Sequence, residues 1–231
     1  MMEGFEFQVE VIRTRRKKSA SIQLDGDLVK VSVPQSLSDK RIRELILKRT
    51  PWIKTKLKEL SGRPNIKPKE YVSGETFPYL GKNYRLKVVL GSENSVRLKG
   101  GYFITTISNK DNQQSTVRSL LEDWYLTHAE IRLREKTQRL ASIVGVTPSS
   151  ISTKPYKSRW GSCSVSGDIT YNWKIILAPH RIVDYVVIHE LCHLLEHNHS
   201  PRYWKHVERH VPDWRECRKW LTDNQSLISI C

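Results

Sequence analysis

The chain has 231 residues, of which 38% are hydrophobic, and its formal net charge is +15. This length and apolar content exclude a disordered or fibrous chain and predict a folded protein with a buried core. The first residues contain no apolar run typical of a signal peptide, and no segment reaches the ~20 apolar residues that a membrane span requires. Four scattered cysteines favour reduced thiols, so we predict a cytoplasmic protein with no membrane partner.

The positive charge is concentrated in the first half of the chain. Residues 1–120 contain 24 Lys and Arg against 12 Asp and Glu, whereas residues 121–231 contain 15 against 12. A basic surplus of this kind predicts an anionic partner, which is a nucleic acid, a phosphorylated small molecule such as a nucleotide, or an acidic protein surface. A basic surface that only interacts with solvent is the alternative.

The N-terminal part of the sequence predicts mainly strands. Apolar and polar residues alternate at 5–12 and 20–33, and the second interval contains a hairpin turn around Gly26. A helix follows, and Pro51 is expected to end it and to begin a second short helix. Residues 76–107 again predict strands with turns at glycines. This part of the chain is therefore predicted to be β-rich.

The character of the sequence changes near residue 112. Residues 115–144 have the pattern of a long helix, residues 150–178 predict a short β unit, and helices follow from Pro179. We therefore predict an α+β fold. It has a β-rich, basic module at 1–112 and a helical module at 113–231 that contains a small antiparallel sheet.

Histidines cluster in the predicted C-terminal helices. Seven of the eight lie between His180 and His210, and His189, Glu190 and His193 form an HExxH motif. Residues i and i+4 share one face of a helix, so both imidazoles can bind one Zn²⁺ ion. Glu190 then lies beside the open position of the metal, where a carboxylate can accept a proton from water. The sequence thus predicts a hydrolytic zinc site.

A catalytic zinc site needs a third protein ligand. We expect His199 in this role, because it follows the helix end expected at Asn198, and the chain can turn back there. The spacing from the motif equals that of HExxHxxGxxH metalloproteases, but Glu196 replaces the glycine of the turn. Asn198, which tolerates left-handed backbone angles, is expected to form the turn instead. His197 and then His206 are the alternative ligands.

Several further motifs carry a family resemblance. WGSC (160–163), ITYNWKIILAP, DYVVIHELCHLLEHNHSPRYW and PDWRECRKWL are preceded in order by KVSVP, PWI and YLGKNYRLKV. With these motifs the chain resembles the YgjP-like family of predicted metal-dependent hydrolases, which is related to SprT-type and WLM-type zincins. The resemblance implies a minimal zincin fold for the helical module, zinc bound by His189, His193 and His199, and Glu190 as catalytic acid/base.

The resemblance and the residues leave three functions open. The first is a zinc-dependent, metallopeptidase-like hydrolase that acts on peptides. The second is a nucleoside triphosphate pyrophosphatase, possibly acting on UTP, which the resemblance implies for some members and which suits the basic N-terminal half. The third is a nucleic-acid-associated protein with structural zinc, which would need four protein ligands and no Glu190.

Candidate substrate-binding residues lie near the predicted zinc site. Arg159 and Trp160, in or beside the WGSC motif, are expected to line the cleft, where Arg159 faces an anionic group of the substrate. Tyr203 is a further candidate, because its hydroxyl group would lie close to the metal. All three are predicted to contact substrate.

Overall fold

The computed structural model describes residues 4–16, 19–61 and 68–225. The backbone forms two compact units, Met1–Ile66 and Lys67–Cys231. Each unit combines strands with helices, which confirms the predicted α+β class. Within the described ranges, no helix is long and apolar enough to cross a bilayer. Cys163, Cys192 and Cys217 are free thiols, and Cys231 lies outside the described residues.

In the first unit, a three-stranded sheet packs against one long helix. Its elements are β1 (Gln8–Thr14), β2 (Ser21–Asp25), β3 (Leu28–Pro34) and α1 (Asp39–Ser61). The central strand β3 pairs in parallel with β1 and forms the predicted hairpin with β2, where Gly26 has φ +58°. Valines of the sheet and isoleucines of the helix form the core: Val9, Val29, Val31, Val33, Ile42, Ile46 and Ile53.

The predicted break at Pro51 is wrong, because α1 continues through this residue. A proline inside a helix removes one backbone hydrogen bond and costs roughly 3 kcal/mol. Ile46 and Ile53, on either side of the proline, are fully buried in the same core. The Thr50 hydroxyl also donates to the carbonyl oxygen of Ile46 at 3.0 Å. Burial of both halves of the helix against one sheet therefore outweighs the lost bond.

The second unit begins with a four-stranded sheet covered by the longest helix. The elements are β4 (Thr76–Tyr79), β5 (Lys82–Leu90), β6 (Ser95–Lys99), β7 (Tyr102–Ile107) and α2 (Gln113–Val144). The strand order is β4-β5-β7-β6, and only the β5–β7 pair is parallel. Helix α2 ends as predicted at Gly145, whose φ of +81° is readily adopted by glycine.

The predicted module boundary after residue 112 falls inside this second unit, between β7 and α2. The two elements share one core: the rings of Phe103 and Trp124 lie edge to face with centroids 4.8 Å apart. The Tyr125 hydroxyl also donates to the carbonyl oxygen of Pro78 at 2.8 Å. Because the sheet buries its apolar face against α2, the strands of 76–107 group with the helical part of the chain.

The rest of the second unit contains a small sheet and three helices. Its elements are β8 (Ser150–Lys154), β9 (Gly161–Cys163), β10 (Asp168–Asn172), a 3₁₀ helix (Trp173–Leu177), α3 (His180–Cys192), α4 (Pro201–His210) and α5 (Trp214–Asp223). The small sheet was predicted to be antiparallel, which holds only for β9 with β10. Strand β10 lies between the other two strands and pairs with β8 in parallel.

Ion pairs hold the start of α5 beside the start of α3. Arg181 of α3 contacts the carboxylates of Asp213 and Glu216, the latter at 2.9 Å. The Ser200 side chain accepts a hydrogen bond from the backbone N–H of Tyr203 and caps α4, as the Ser-Pro pair at its start suggests. These contacts fix the ends of the helices that surround the histidine cluster.

A buried hydrogen-bond pair joins α2 to the central strand of the small sheet. The Thr137 hydroxyl donates to the carbonyl oxygen of Leu133 at 2.6 Å and forms a second hydrogen bond with the Tyr171 hydroxyl at 3.0 Å. Both side chains are fully buried. We expect Thr137→Val, which keeps the shape, to lower the free energy of unfolding by about 1–3 kcal/mol, because the Tyr171 hydroxyl loses its partner. Chemical denaturation measures this change.

Tyr171→Phe is the matched control. If the two hydroxyl groups are partners, the double variant should lose less stability than the sum of the single variants. Strictly additive losses would contradict the pairing.

Candidate active site

Helix α3 positions the two histidines of the HExxH motif. Val186, Val187, Ile188 and Leu191 are buried and fix the helix in the core. The helix ends at Cys192, six residues before the predicted end at Asn198, but His193 retains helical angles of φ −66° and ψ −19°. The i,i+4 spacing therefore survives, and the rings of His189 and His193 lie with centroids 5.1 Å apart.

The loop between α3 and α4 brings the third histidine to the other two. The Nε2 atoms of His199 and His189 lie 3.2 Å apart, and one ligand atom from each of the three histidines lies within 4.8 Å of the others. Within the described residues, His197 and His206 do not belong to this group. The structure thus brings together the three histidines that the sequence ranked first.

The turn that returns the chain differs from the one predicted. Asn198 is not among the described residues with positive φ, so it does not adopt the left-handed conformation. Instead, tight backbone bonds close the end of α3: Leu195 N–H donates to Cys192 O at 3.1 Å, and Glu196 N–H donates to the same oxygen at 3.0 Å. These bonds change the chain direction without a glycine.

The chemistry of the histidines fits a divalent metal. The Nδ1 atom of His193 lies 3.2 Å from the carbonyl oxygen of Glu196, so Nδ1 carries the proton and Nε2 presents a lone pair. Nitrogen ligands at ~2.1 Å in a tetrahedral zinc site lie roughly 3.4 Å apart, close to the separation of the His189 and His199 Nε2 atoms. Such a set is well suited to zinc.

Desolvation favours the neutral form of these imidazoles. Desolvation, followed by the neighbouring His193 and His199, lowers the pKa of His189 to about 3. Burial likewise lowers the pKa of His193 and of His199. Metal binding requires neutral imidazole, so the site is prepared to bind a cation at neutral pH.

Side chains of helix α4 pack against the rings of His193 and His199. The Tyr203 hydroxyl donates to the carbonyl oxygen of His189 at 2.9 Å, and its ring stacks on His193 with centroids 4.5 Å apart. Tyr203 is fully buried, which places it behind the histidines rather than at the cleft surface predicted for it. Trp204 stacks on His199 at 5.5 Å and on Trp214 at 4.1 Å.

Glu190 lies at the inner end of the site, against the backbone of β9. Its side chain is only 4% exposed, and burial raises its pKa to about 8, with Arg159 acting in the opposite direction. A Cβ atom placed on Gly161 would lie 2.6 Å from the Glu190 Oε1 atom and 2.7 Å from its Cγ atom. Only glycine therefore allows β9 to approach this carboxyl group so closely.

These groups open into a cleft of about 590 Å³. Its walls are the segment 157–163 and helix α5, and α3 forms its floor. Arg159 and Trp160 line the cleft, at the place where the sequence predicted substrate contacts. Arg218 of α5 also lines it and was not predicted. The helical pattern of buried Trp214 and Leu221 would have placed Arg218 beside the inner face of α5.

Comparisons with known proteins identify the protein family of the chain. Residues 18–224 match the family described as YgjP-like, metallopeptidase domain. This match supports a metal-dependent hydrolase, as the sequence predicted. The chain belongs to the YgjP-like metallopeptidase domain family. No curated protein matches it significantly.

Two solved structures are similar to part of the chain. The metallopeptidase zymogen of abylysin from Pyrococcus abyssi is 24% identical, with a TM-score of 0.37 over 40% of this chain and 95% of that one. The metallopeptidase zymogen of jannalysin from Methanocaldococcus jannaschii is 19% identical, with a TM-score of 0.36 over 41% of this chain and 96% of that one.

The contact between Gly161 and Glu190 predicts a strong local effect of one methyl group. We expect Gly161→Ala to lower the free energy of unfolding by about 1–3 kcal/mol, because the new Cβ atom overlaps the Glu190 side chain. Thermal or chemical unfolding measures the loss.

Glu190→Ala supplies the control, because it removes the atoms that the new Cβ would meet. In that background, Gly161→Ala should cost much less stability. An equal cost in both backgrounds would contradict this explanation.

Proposed function

We propose that His189, His193 and His199 bind one zinc ion, and that Glu190 acts as the proton carrier of a peptide-hydrolysing site. One observation carries the proposal: three imidazoles converge within 4.8 Å, in the same cleft as a buried carboxyl group. Three protein ligands are typical of catalytic zinc, whereas structural zinc has four. The metallopeptidase domain family of the chain supports the same function.

The chemistry of each group in the site indicates its role in the proposed reaction. When bound, zinc supplies a Lewis acid that makes water a nucleophile at neutral pH and polarises a carbonyl group. Glu190 accepts the proton of the attacking water at its carboxylate and donates it to the leaving amine. The His193 ring, fixed through its Nδ1–H group, keeps Nε2 available as a ligand. Tyr203 holds the backbone of His189 through its hydroxyl group.

The free edge of β9 supports a peptide as substrate. The carbonyl oxygen of Trp160 accepts from the N–H group of Asn172 in β10 at 2.8 Å. Backbone groups alternate along an antiparallel strand, so those of Gly161 and Cys163 face away from β10. Both residues line the cleft. An extended peptide can add to this edge as a further strand, with its scissile bond beside Glu190.

Two cleft residues are proposed to contact that peptide. Trp160 offers apolar surface next to β9, and Arg159 offers a cation close enough to lower the pKa of Glu190. The comparisons give no support to the nucleotide and nucleic-acid alternatives. These two functions are therefore treated as alternative outcomes of the activity experiment described below.

Replacement of the proposed proton carrier tests the function. We expect Glu190→Gln to retain zinc and to lose peptide hydrolysis by roughly 10²- to 10⁴-fold, because the amide cannot accept the proton. Initial rates on casein, a peptide library and UTP measure activity, and elemental analysis measures zinc.

Two controls make the result specific. Removal of zinc with a chelator should abolish wild-type hydrolysis, and added zinc should restore it. Full activity of zinc-loaded Glu190→Gln would contradict the role of Glu190. Release of pyrophosphate from UTP without cleavage of any peptide would replace peptides with nucleotides as substrates.

A measurement of zinc affinity tests whether the Trp204 ring orients the His199 ring for metal binding. The described contacts of the His199 side chain are the Nε2 atom of His189 and rings that include Trp204. We expect Trp204→Leu to weaken zinc binding by roughly 10- to 100-fold, because the loop-borne ring loses the surface that orients it. Competition with a chromophoric chelator and the Co²⁺ absorption spectrum measure the effect.

Trp204→Phe, which keeps a ring, should weaken binding less. Trp52→Leu, at an exposed position of α1, is the control for loss of a tryptophan. Unchanged affinity in a folded Trp204→Leu variant would contradict the supporting role.

A further inference from the structure

The cleft contains more positive than negative charge. Lys157, Arg159 and Arg218 line it, and Glu190 is the one acidic residue among the described residues of its lining. Glu190 is buried at the inner end of the site, against the backbone of β9. The three basic side chains belong to exposed residues. A ligand in this cleft therefore meets a positive field on its way to the histidines.

The two arginines come from different walls. Arg159 precedes β9, and its guanidinium lies over the Tyr156 ring with the central carbon 5.5 Å from the ring centroid. Arg218 lies on α5, and its guanidinium lies over the Trp204 ring at 5.6 Å. Stacking on an aromatic ring restricts a guanidinium while its N–H groups stay available for hydrogen bonds. Both groups are thus oriented in advance for an anion.

Other arginines near α5 differ from these two. Arg215 forms an ion pair with Glu208 at 2.8 Å, and Arg181 pairs with Glu216 at 2.9 Å. Among the ion pairs of the described residues, none involves Arg159 or Arg218. Arg181 and Arg215 are thus paired with carboxylates of the chain, whereas Arg159 and Arg218 form no ion pair among the described residues and can bind the carboxylate of a ligand.

We infer that the cleft selects peptide segments with aspartate or glutamate side chains near the scissile bond, and that Arg159 and Arg218 determine this preference. The inference rests on the proposed peptide hydrolysis at the same site. A carboxylate matches the two parallel N–H groups of a guanidinium, so each arginine can bind one acidic side chain in bidentate fashion. Because the arginines belong to different elements that line the cleft, a strand added to β9 can present acidic residues to either of them.

Matched pairs of fluorogenic peptides test the preference. Each pair has the same sequence except for Glu or Gln at one position, and the position is scanned across the scissile bond. Zinc-loaded wild-type protein should cleave the Glu member with a kcat/KM roughly 3- to 10-fold higher at the favoured positions, as expected for a partly exposed charge-assisted bond. The ratio should fall towards one at high salt, because ions screen the attraction.

The Glu-to-Gln ratio separates selectivity from other roles of the arginines. Arg159→Gln and Arg218→Gln should each reduce the ratio at the positions that they contact. A general loss of catalysis or folding lowers both members of a pair and leaves the ratio unchanged. Lys219→Gln, at an exposed residue of α5 outside the cleft, is the matched control and should keep the wild-type ratio.

A binding measurement distinguishes this inference from the proposed function. Fluorescence anisotropy of the same peptides with Glu190→Gln reports affinity without hydrolysis. Tighter binding of the Glu peptides that is lost in the Arg218→Gln background supports the inference even if no peptide is cleaved, in which case only the hydrolytic function fails. Equal binding and equal cleavage of the two members, or a ratio that survives both arginine substitutions, would overturn it. Preferential binding of UTP over every acidic peptide would also overturn it.

Discussion

The close approach of three imidazole nitrogens governs the architecture of this site. Protonated rings would repel one another at the 3.2 Å between the His189 and His199 Nε2 atoms, so the arrangement requires neutral rings. Desolvation meets that requirement by lowering their pKa values. The rings must also be held against mutual displacement, and α4 does this with Tyr203 and Trp204. Helix α4, the first helix after the motif, is therefore as necessary to the site as the motif helix.

Local sequence patterns predicted much of the site. The HExxH spacing depends only on helical periodicity, which holds as far as His193 even though α3 ends at Cys192. His199 was preferred to His197 because the chain can turn back towards the motif only after the helix ends. The cluster of three histidines contains His199 and not His197. The mechanism of the reversal was not predictable, because Leu194 and Leu195 continue an apolar helical pattern. Backbone bonds to Cys192, rather than a special residue, end the helix.

Long-range pairing explains most of the remaining differences. The hairpin around Gly26 and the end of α2 at Gly145 depend on neighbouring residues, and both were predicted. The parallel pairing of β8 with β10 and the shared core of β7 with α2 join segments whose partners no local pattern specifies. At Pro51 the local sequence predicts a helix break, but α1 continues because the burial of its apolar face in the core outweighs this local preference.

In the proposed mechanism, substrate position and proton transfer are coupled through one backbone contact. The peptide edge of β9 and the Glu190 carboxyl group meet at Gly161, where no side chain separates them. A strand bound to β9 is then fixed relative to the proton carrier, and neither partner depends on a flexible loop for its alignment. The arginines of the two walls act at a greater distance, on side chains of that strand. Arg218 belongs to α5 and not to β9 or α3, so its substitution is expected to change the proposed substrate preference while the position of a bound strand relative to Glu190 stays the same.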